Sequence, residues 1–248
     1  MHMLVEGVDH VYVPMVDAAA AFAVLSDGLG LPVLWPFTSF GSFSSGGVSV
    51  GSIKLEILEA NPVTPWSAAQ SPPEIQAIAF RPSRAVDGAF LAEVDGRDIA
   101  RSAPERFDRE GRPAWTNVYF TDVIGPTAGV FVCDYHLPGP RDLALRRRVL
   151  EECGGARLGV VDAAELVIAA ADTGAAERRW QRLLDPLTPD GPLTWRPPVG
   201  PGIRLVDGAK DKVEYLALAV HSVEEATRVW READAGPLAG FPMQFVPA

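Results

Sequence analysis

VDHVYVPMVDAAAAFAVLSDGLG, residues 8–30, is the stretch from which the fold is read. Its first seven residues are dominated by β-branched and aromatic types and close on Pro14, which predicts a strand. Asp17 then offers a carboxylate to the free amides of a helix's first turn. Ala21, Phe22, Val24 and Leu25 form the apolar stripe of that helix, and Gly28 or Gly30 ends it. The same strand–turn–helix pattern recurs, in degenerate spelling, as EIQAIAFRPSRAVDGAFLAEVDG from Glu74, AELVIAAADTGAAERRWQRLLDPL from Ala164 and VEYLALAVHSVEEATRVWREADAGPL from Val213. Recurrence of this kind means that one supersecondary unit has been reused along the chain.

Working outward, strands are predicted at 32–35, 45–50 and 53–59, with Gly46, Gly47 and Gly51 at the turns. The first unit therefore reads strand, helix, three strands. In the second, strands are predicted at 76–80, 115–121 and 129–135, a short helix at 86–94, and a charged turn region at 103–112. A spacer helix at 142–153 carries Arg146, Arg147 and Arg148, read as a solvated face. The third unit has a strand at 166–170, a helix at 174–184 and a later strand at 203–206. The fourth has a strand at 213–220 and a helix at 223–233 behind the cap Ser222. Too little chain follows for three more strands, so the last unit is expected to be truncated. The proline-rich stretch 187–202 is expected to be irregular. The fold class is α+β: repeated βαβββ modules forming curved mixed sheets with helices on the outer faces. Residues 1–140 are expected to hold an N-terminal pair of modules with the candidate site, and 141–248 a divergent, partly truncated C-terminal pair.

A chain of 248 residues, 48% hydrophobic and 22% charged, has the balance of a folded globule. Its net charge of −10 argues against nucleic acid as a partner. Cys133 and Cys153 are too few for a disulfide framework and read as reduced thiols. No leader and no apolar run of membrane-spanning length is present, so the cytosol is the expected location. The expected partner is a small-molecule ligand, with the protein a monomer or homodimer.

Strand parity locates the candidate chemistry. In 53–59, Ile53, Leu55 and Ile57 share one face and Lys54, Glu56 and Leu58 the other. The apolar set belongs under the helix, which turns Glu56 to the concave side. In the first strand Val8, His10 and Tyr12 share a face opposite Val11 and Val13, so His10 joins Glu56 if the two strands are neighbours. His2 lies in the terminus, and His221 reads as part of a strand-to-helix turn. In 130–135 alternation puts Val132, Asp134 and, beyond the strand, His136 on one face. Asp134 or His136 would approach His10 and Glu56 across a shared hollow. Imidazole and carboxylate donors suit zinc, manganese, nickel or ferrous iron, with His10, Glu56 and His136 as metal ligands. Glu56 and Asp134 are the candidate catalytic carboxylates, able to shuttle a proton. Tyr12, Trp35, Phe37, Phe40 and Phe43 are candidates for a substrate pocket. Arg106 or Arg109 is a weaker candidate for closing over an anion. The glycine pairs lack the context of a dinucleotide loop, no serine sits in a nucleophile elbow, and Cys133 reads as packing.

These residues resemble the vicinal oxygen chelate superfamily, which includes glyoxalase I, extradiol dioxygenases, methylmalonyl-CoA epimerase and bleomycin-resistance proteins. The resemblance rests on VDHVYVP at 8–14, the helix ending GLGL at 28–31, and KLEIL at 54–58. It implies paired βαβββ cups in which a first-strand histidine and a fourth-strand glutamate from each half hold a metal. His10 and Glu56 match those positions in the first module. At the leading-strand histidine position the second unit offers Gln76 or a neighbour, the third Glu165 and the fourth Tyr215. Two functions follow. One is a glyoxalase-like, metal-dependent lyase, isomerase or related enzyme acting on a small oxygenated metabolite. The other is a metal-free binding or resistance-type protein that uses the same cup.

Overall fold

The structure, a computed structural model, describes residues 2–60, 67–109, 111–125, 128–136, 143–233 and 236–248. The first unit comprises β1 (Val5–Pro14), α1 (Ala18–Ala23), β2 (Val33–Ser39), β3 (Phe43–Ser49) and β4 (Lys54–Ala60). The second comprises β5 (Ala77–Pro82), α2 (Gly88–Gly96), β6 (Glu105–Arg109), β7 (Arg112–Phe120) and β8 (Gly129–Tyr135). Their strands join in one sheet of order β2-β3-β4-β1-β5-β8-β7-β6. Each leading strand pairs in parallel with the last strand of its own unit, β1 with β4 and β5 with β8. The two leading strands pair antiparallel at the centre.

After α3 (Leu143–Glu152) come β9 (Val160–Ala170), α4 (Thr173–Leu184), β10 (Thr194–Trp195), β11 (Gly202–Asp207), β12 (Lys212–Val220), α5 (Val223–Ala233) and β13 (Met243–Pro247). They build a second sheet, β10-β11-β9-β12-β13, wired in the same way. β9 pairs in parallel with β11, β12 in parallel with β13, and β9 antiparallel with β12. The third unit is thus βαββ and the fourth βαβ, so both C-terminal units are short. The expected division at 140–141 lies outside the described residues.

Local chemistry sets the helix starts. Asp17 Oδ1 accepts from Ala20 N at 3.2 Å, Asp172 Oδ1 from Ala175 N at 2.9 Å, and Ser222 Oγ from Glu225 N at 3.3 Å. Each satisfies an amide that the helix leaves without a partner. One apolar core runs through both sheets: Val11, Val13, Leu55 and Ile57 line the helix-covered face of the first, and Trp180 of α4 packs on Phe80 of β5. Burying side chains of this size contributes roughly 1.5–3 kcal/mol each.

Three expectations are corrected. The charged region at 103–112 contains strand β6, hydrogen-bonded to β7. As a mostly exposed edge strand it has no buried face, and so shows no apolar alternation. The stretch 187–202 contains β10, whose Trp195 is fully buried and donates its indole N–H to Gln181 Oε1 at 3.0 Å. Arg146 is not solvated. Its side chain is fully buried, and Nη1 donates to the Asp9 carbonyl at 3.0 Å. Its neighbours Arg147 and Arg148 stay exposed as expected, Arg147 pairing with Asp162 of β9 at 2.8 Å and Arg148 standing 3.8 Å from Glu152.

Candidate functional site

The curved first sheet encloses a cavity of about 480 Å³. β1 and β4 are hydrogen-bonded neighbours, with Tyr12 opposite Glu56 and His10 opposite Lys54. His10 and Glu56 both face this cup, and His10 Nε2 lies 3.5 Å from Glu56 Oε2. Lys54 and Leu58 share that face, as alternation requires.

Alternation fails where strands bulge. The pairing of β1 with β5 shifts register between Val8 and His10, so two residues of β1 face one of β5. Val8 therefore joins the helix-side core, while His10 and Tyr12 face the cup. The same effect corrects Phe37. The β2–β3 register shifts between Trp35 and Thr38, so Trp35 lines the cup and Phe37 packs on Phe22 of α1, ring centroids 6.1 Å apart. Tyr12, Trp35, Phe40 and Phe43 line the cup.

Asp134 and His136 are on the other side of the sheet. Phe131, Cys133 and Tyr135 are the residues of β8 that enter the cup. Val130 and Val132 turn to the covered core, and Asp134 Oδ2 on that side accepts from Val86 N at 2.9 Å. His136 Nε2 lies 2.8 Å from Thr116 Oγ1, which is level with Asp134 across the β7–β8 pair. Both faces of β8 are apolar, so hydrophobicity alone does not orient it. Arg106 is also outside the cup, paired with Asp108 at 3.1 Å, whereas Arg109 lines it.

The residues missed in the sequence are the ones that organise the floor. Asp9, placed in the bulge, is buried and collects cations and donors. Its carboxylate pairs with Lys54 Nζ, lies 2.9 Å from His10 Nδ1 and accepts from Tyr135 Oη at 3.2 Å. Lys54 Nζ also donates to Tyr135 Oη at 2.9 Å. Guanidinium nitrogens of Arg146 and Arg81 stand 3.6 and 3.7 Å from Asp9 Oδ1. Burial pushes the Asp9 carboxyl up, but Lys54, the His10 hydrogen bond and Arg146 together hold it well below the usual carboxylate range. The signal available in the sequence was a charged pair, Asp9 and Lys54, inside two strands that otherwise read as apolar.

The buried phenols and the thiol of the cup are neutral near pH 7. Burial raises the Tyr12 phenol and the Cys133 thiol, and pushes Tyr119 up to about 12. Cys133 therefore carries no activated thiolate. Iodoacetamide at pH 8 is expected to modify exposed Cys153 first, and Cys133 more than about tenfold more slowly until the protein is unfolded. Peptide mass mapping reads the order, and equal rates would contradict this burial.

The resemblance implies a divalent metal, and the donor set does not fit one. A paired site needs ligands from the second module, but β5 and β8 present Ala77, Ala79, Phe131 and Cys133 beside His10. Among the described residues no group of three or more His, Cys, Asp or Glu is placed to hold a metal ion.

No protein-family model and no curated protein matches the sequence. Solved structures match in fold. A variant of homoprotocatechuate 2,3-dioxygenase from Brevibacterium fuscum aligns with a TM-score of 0.59 at 13% identity, covering 96% of this chain and 63% of that one. This chain thus spans less than two thirds of that enzyme. The Mn(II)-bound glyoxalase from Novosphingobium aromaticivorans aligns at 0.56 and 14% identity, covering 94% and 72%. A hypothetical protein from Staphylococcus aureus aligns at 0.58 and 10% identity, covering 87% and 91%. At these identities the likeness is one of fold, and the element order and pairing agree with it. The chain has the vicinal oxygen chelate, glyoxalase-like fold, with a divergent cup that lacks a metal-chelating cluster among its described residues.

Proposed function

We propose that this protein is a metal-independent binder of a small molecule, held in the N-terminal cup. The observation that carries this reading is the floor beside His10 and Glu56, where the second module supplies alanines, a phenylalanine and Cys133, whose thiol burial keeps protonated, and no third metal donor joins the pair among the described residues. A pocket of this volume, walled by aromatic rings with polar groups such as His10, Glu56 and Asn117 between them, is suited to enclosing a small organic ligand. Asp9 and Lys54 neutralise one another, with Tyr135 hydrogen-bonded to both, so the floor is organised without an exogenous cation. The two free thiols suit a reducing compartment such as the cytosol, and the net charge of −10 disfavours nucleic acid. Among the described residues no helix is long and apolar enough to cross a membrane.

A second reading, a glyoxalase-like lyase or isomerase, is favoured by the adjacency of His10 and Glu56 on neighbouring strands. Metal titration separates the two. Elemental analysis and calorimetry with Zn²⁺, Mn²⁺, Ni²⁺ and Fe²⁺ are expected to find no stoichiometric site, and chelator treatment is expected to leave ligand affinity unchanged. One equivalent of metal, weakened by Glu56→Gln and lost on His10→Ala, would establish the enzyme reading instead.

A further inference from the structure

We infer that the cup selects a planar aromatic ligand bearing a cationic or N–H-donating nitrogen, which Asn117 and Glu56 receive. This assignment rests on the binding reading above and adds the chemical class of the ligand. Asn117 is 6% exposed and lines the cup. Its Nδ2 donates to Tyr119 Oη at 3.4 Å, while its Oδ1 is buried with no hydrogen-bond partner. Leaving a buried acceptor unpaired is costly, so this oxygen marks where a donor belongs.

The neighbouring polar groups have the same preference. The Glu56 carboxylate faces the cup, and β6–β7 pairing sets Glu105, also in the lining, level with Asn117. An ionised Asp9 only accepts hydrogen bonds, so His10 turns an Nδ1 proton to it and leaves Nε2 facing the cup, 3.5 Å from Glu56 Oε2. The cations are committed or distant. Lys54 is engaged by Asp9 and Tyr135, and Arg109 stands at the other end of β6 from Glu105, about 13 Å along the strand. An anionic ligand would meet two carboxylates and an unpaired carbonyl oxygen.

The walls select flatness. Phe107 and Trp115 stack at 5.2 Å with 13° between planes, and Phe40 meets Trp115 edge-on at 5.9 Å. Aromatic faces of this kind accept planar rings and attract positive charge. The 480 Å³ cavity accommodates two or three fused rings.

A matched tricyclic set tests the assignment: proflavine (cationic, with amino donors), xanthone (neutral, with no donor) and acridine-9-carboxylate (anionic), titrated into the full chain by calorimetry and tryptophan fluorescence. Proflavine is expected to bind at least about tenfold more tightly than the other two. Glu56→Gln should weaken it about tenfold, and the near-isosteric Asn117→Asp should tighten it several-fold, with near-UV circular dichroism verifying the fold of each. Equal or tighter binding of the carboxylate overturns the ligand class and leaves the binding reading standing. Asn117→Asp without effect on proflavine removes Asn117 from the site. Binding of none of the three ends the assignment, whereas the metal titration decides the binding reading separately.

Discussion

Asp9→Asn is expected to remove about 3–5 kcal/mol of folding stability, read as a lower urea midpoint at unchanged slope. The reason is the company the carboxylate keeps. Lys54 is buried against it, fully buried Arg146 reaches its carbonyl and side chain, and His10 and Tyr135 bond to it. An amide would leave two buried cations without their counter-charge, and Arg146 Nε and Nη2 already have no hydrogen-bond partner. Lys54→Met added to Asp9→Asn is expected to restore more than half of the loss, because it removes the cation stranded nearest the site. The wild-type protein should also show a pH signature. The folded Asp9 carboxyl is depressed below its unfolded value near 3.9. Its contribution is therefore fully present above about pH 4–5 and lost as pH falls toward the depressed folded value. The Asp9→Asn protein should lack this part of the acid limb. Coincident urea midpoints for the two proteins at pH 7 would refute the charge cluster.

The second large effect belongs to Gly7. Gly7 forms an isolated bridge with Val199, and a Cβ there would fall 1.7 Å from the Val199 carbonyl oxygen. Both sides of this contact are backbone, so no rotamer change relieves it. Gly7→Ala is expected to cost at least about 3 kcal/mol, a fall in Tm of roughly 6–12 °C for a chain of this size. Gly88→Ala in α2, where nothing lies within 4 Å of the new methyl, is the control. It is expected to be neutral or to stabilise by about 0.5–1 kcal/mol. Equal Tm values for the two variants would show that the halves do not meet through this contact.

How much was legible follows from these residues. The repeated strand–helix spelling located every leading strand and the helix that follows each, because amphipathic periodicity and side-chain caps such as Asp17 and Ser222 act over a few residues. The facing of His10 and Glu56 was legible for the same reason, as alternation is a local property of an extended chain. Three kinds of information were not. Bulges at Asp9 and within β2 reversed the side of Val8 and Phe37, and a bulge is fixed by the partner strand. The orientation of β8, apolar on both faces, depended on which face α2 and the core covered, and this sent Asp134 and His136 out of the cup. The edge strand β6 exists only through its pairing with β7.

Residue order by itself therefore determined the βαβββ reuse and the facing of His10 and Glu56 into one hollow. Only the tertiary structure decided what surrounds that pair: alanines and a phenylalanine from the second module, and a lysine, tyrosine and arginine drawn to Asp9 from separate strands and a helix. Periodicity acts within one element, whereas a charge buried between elements is stabilised by groups that only folding brings within a few ångströms.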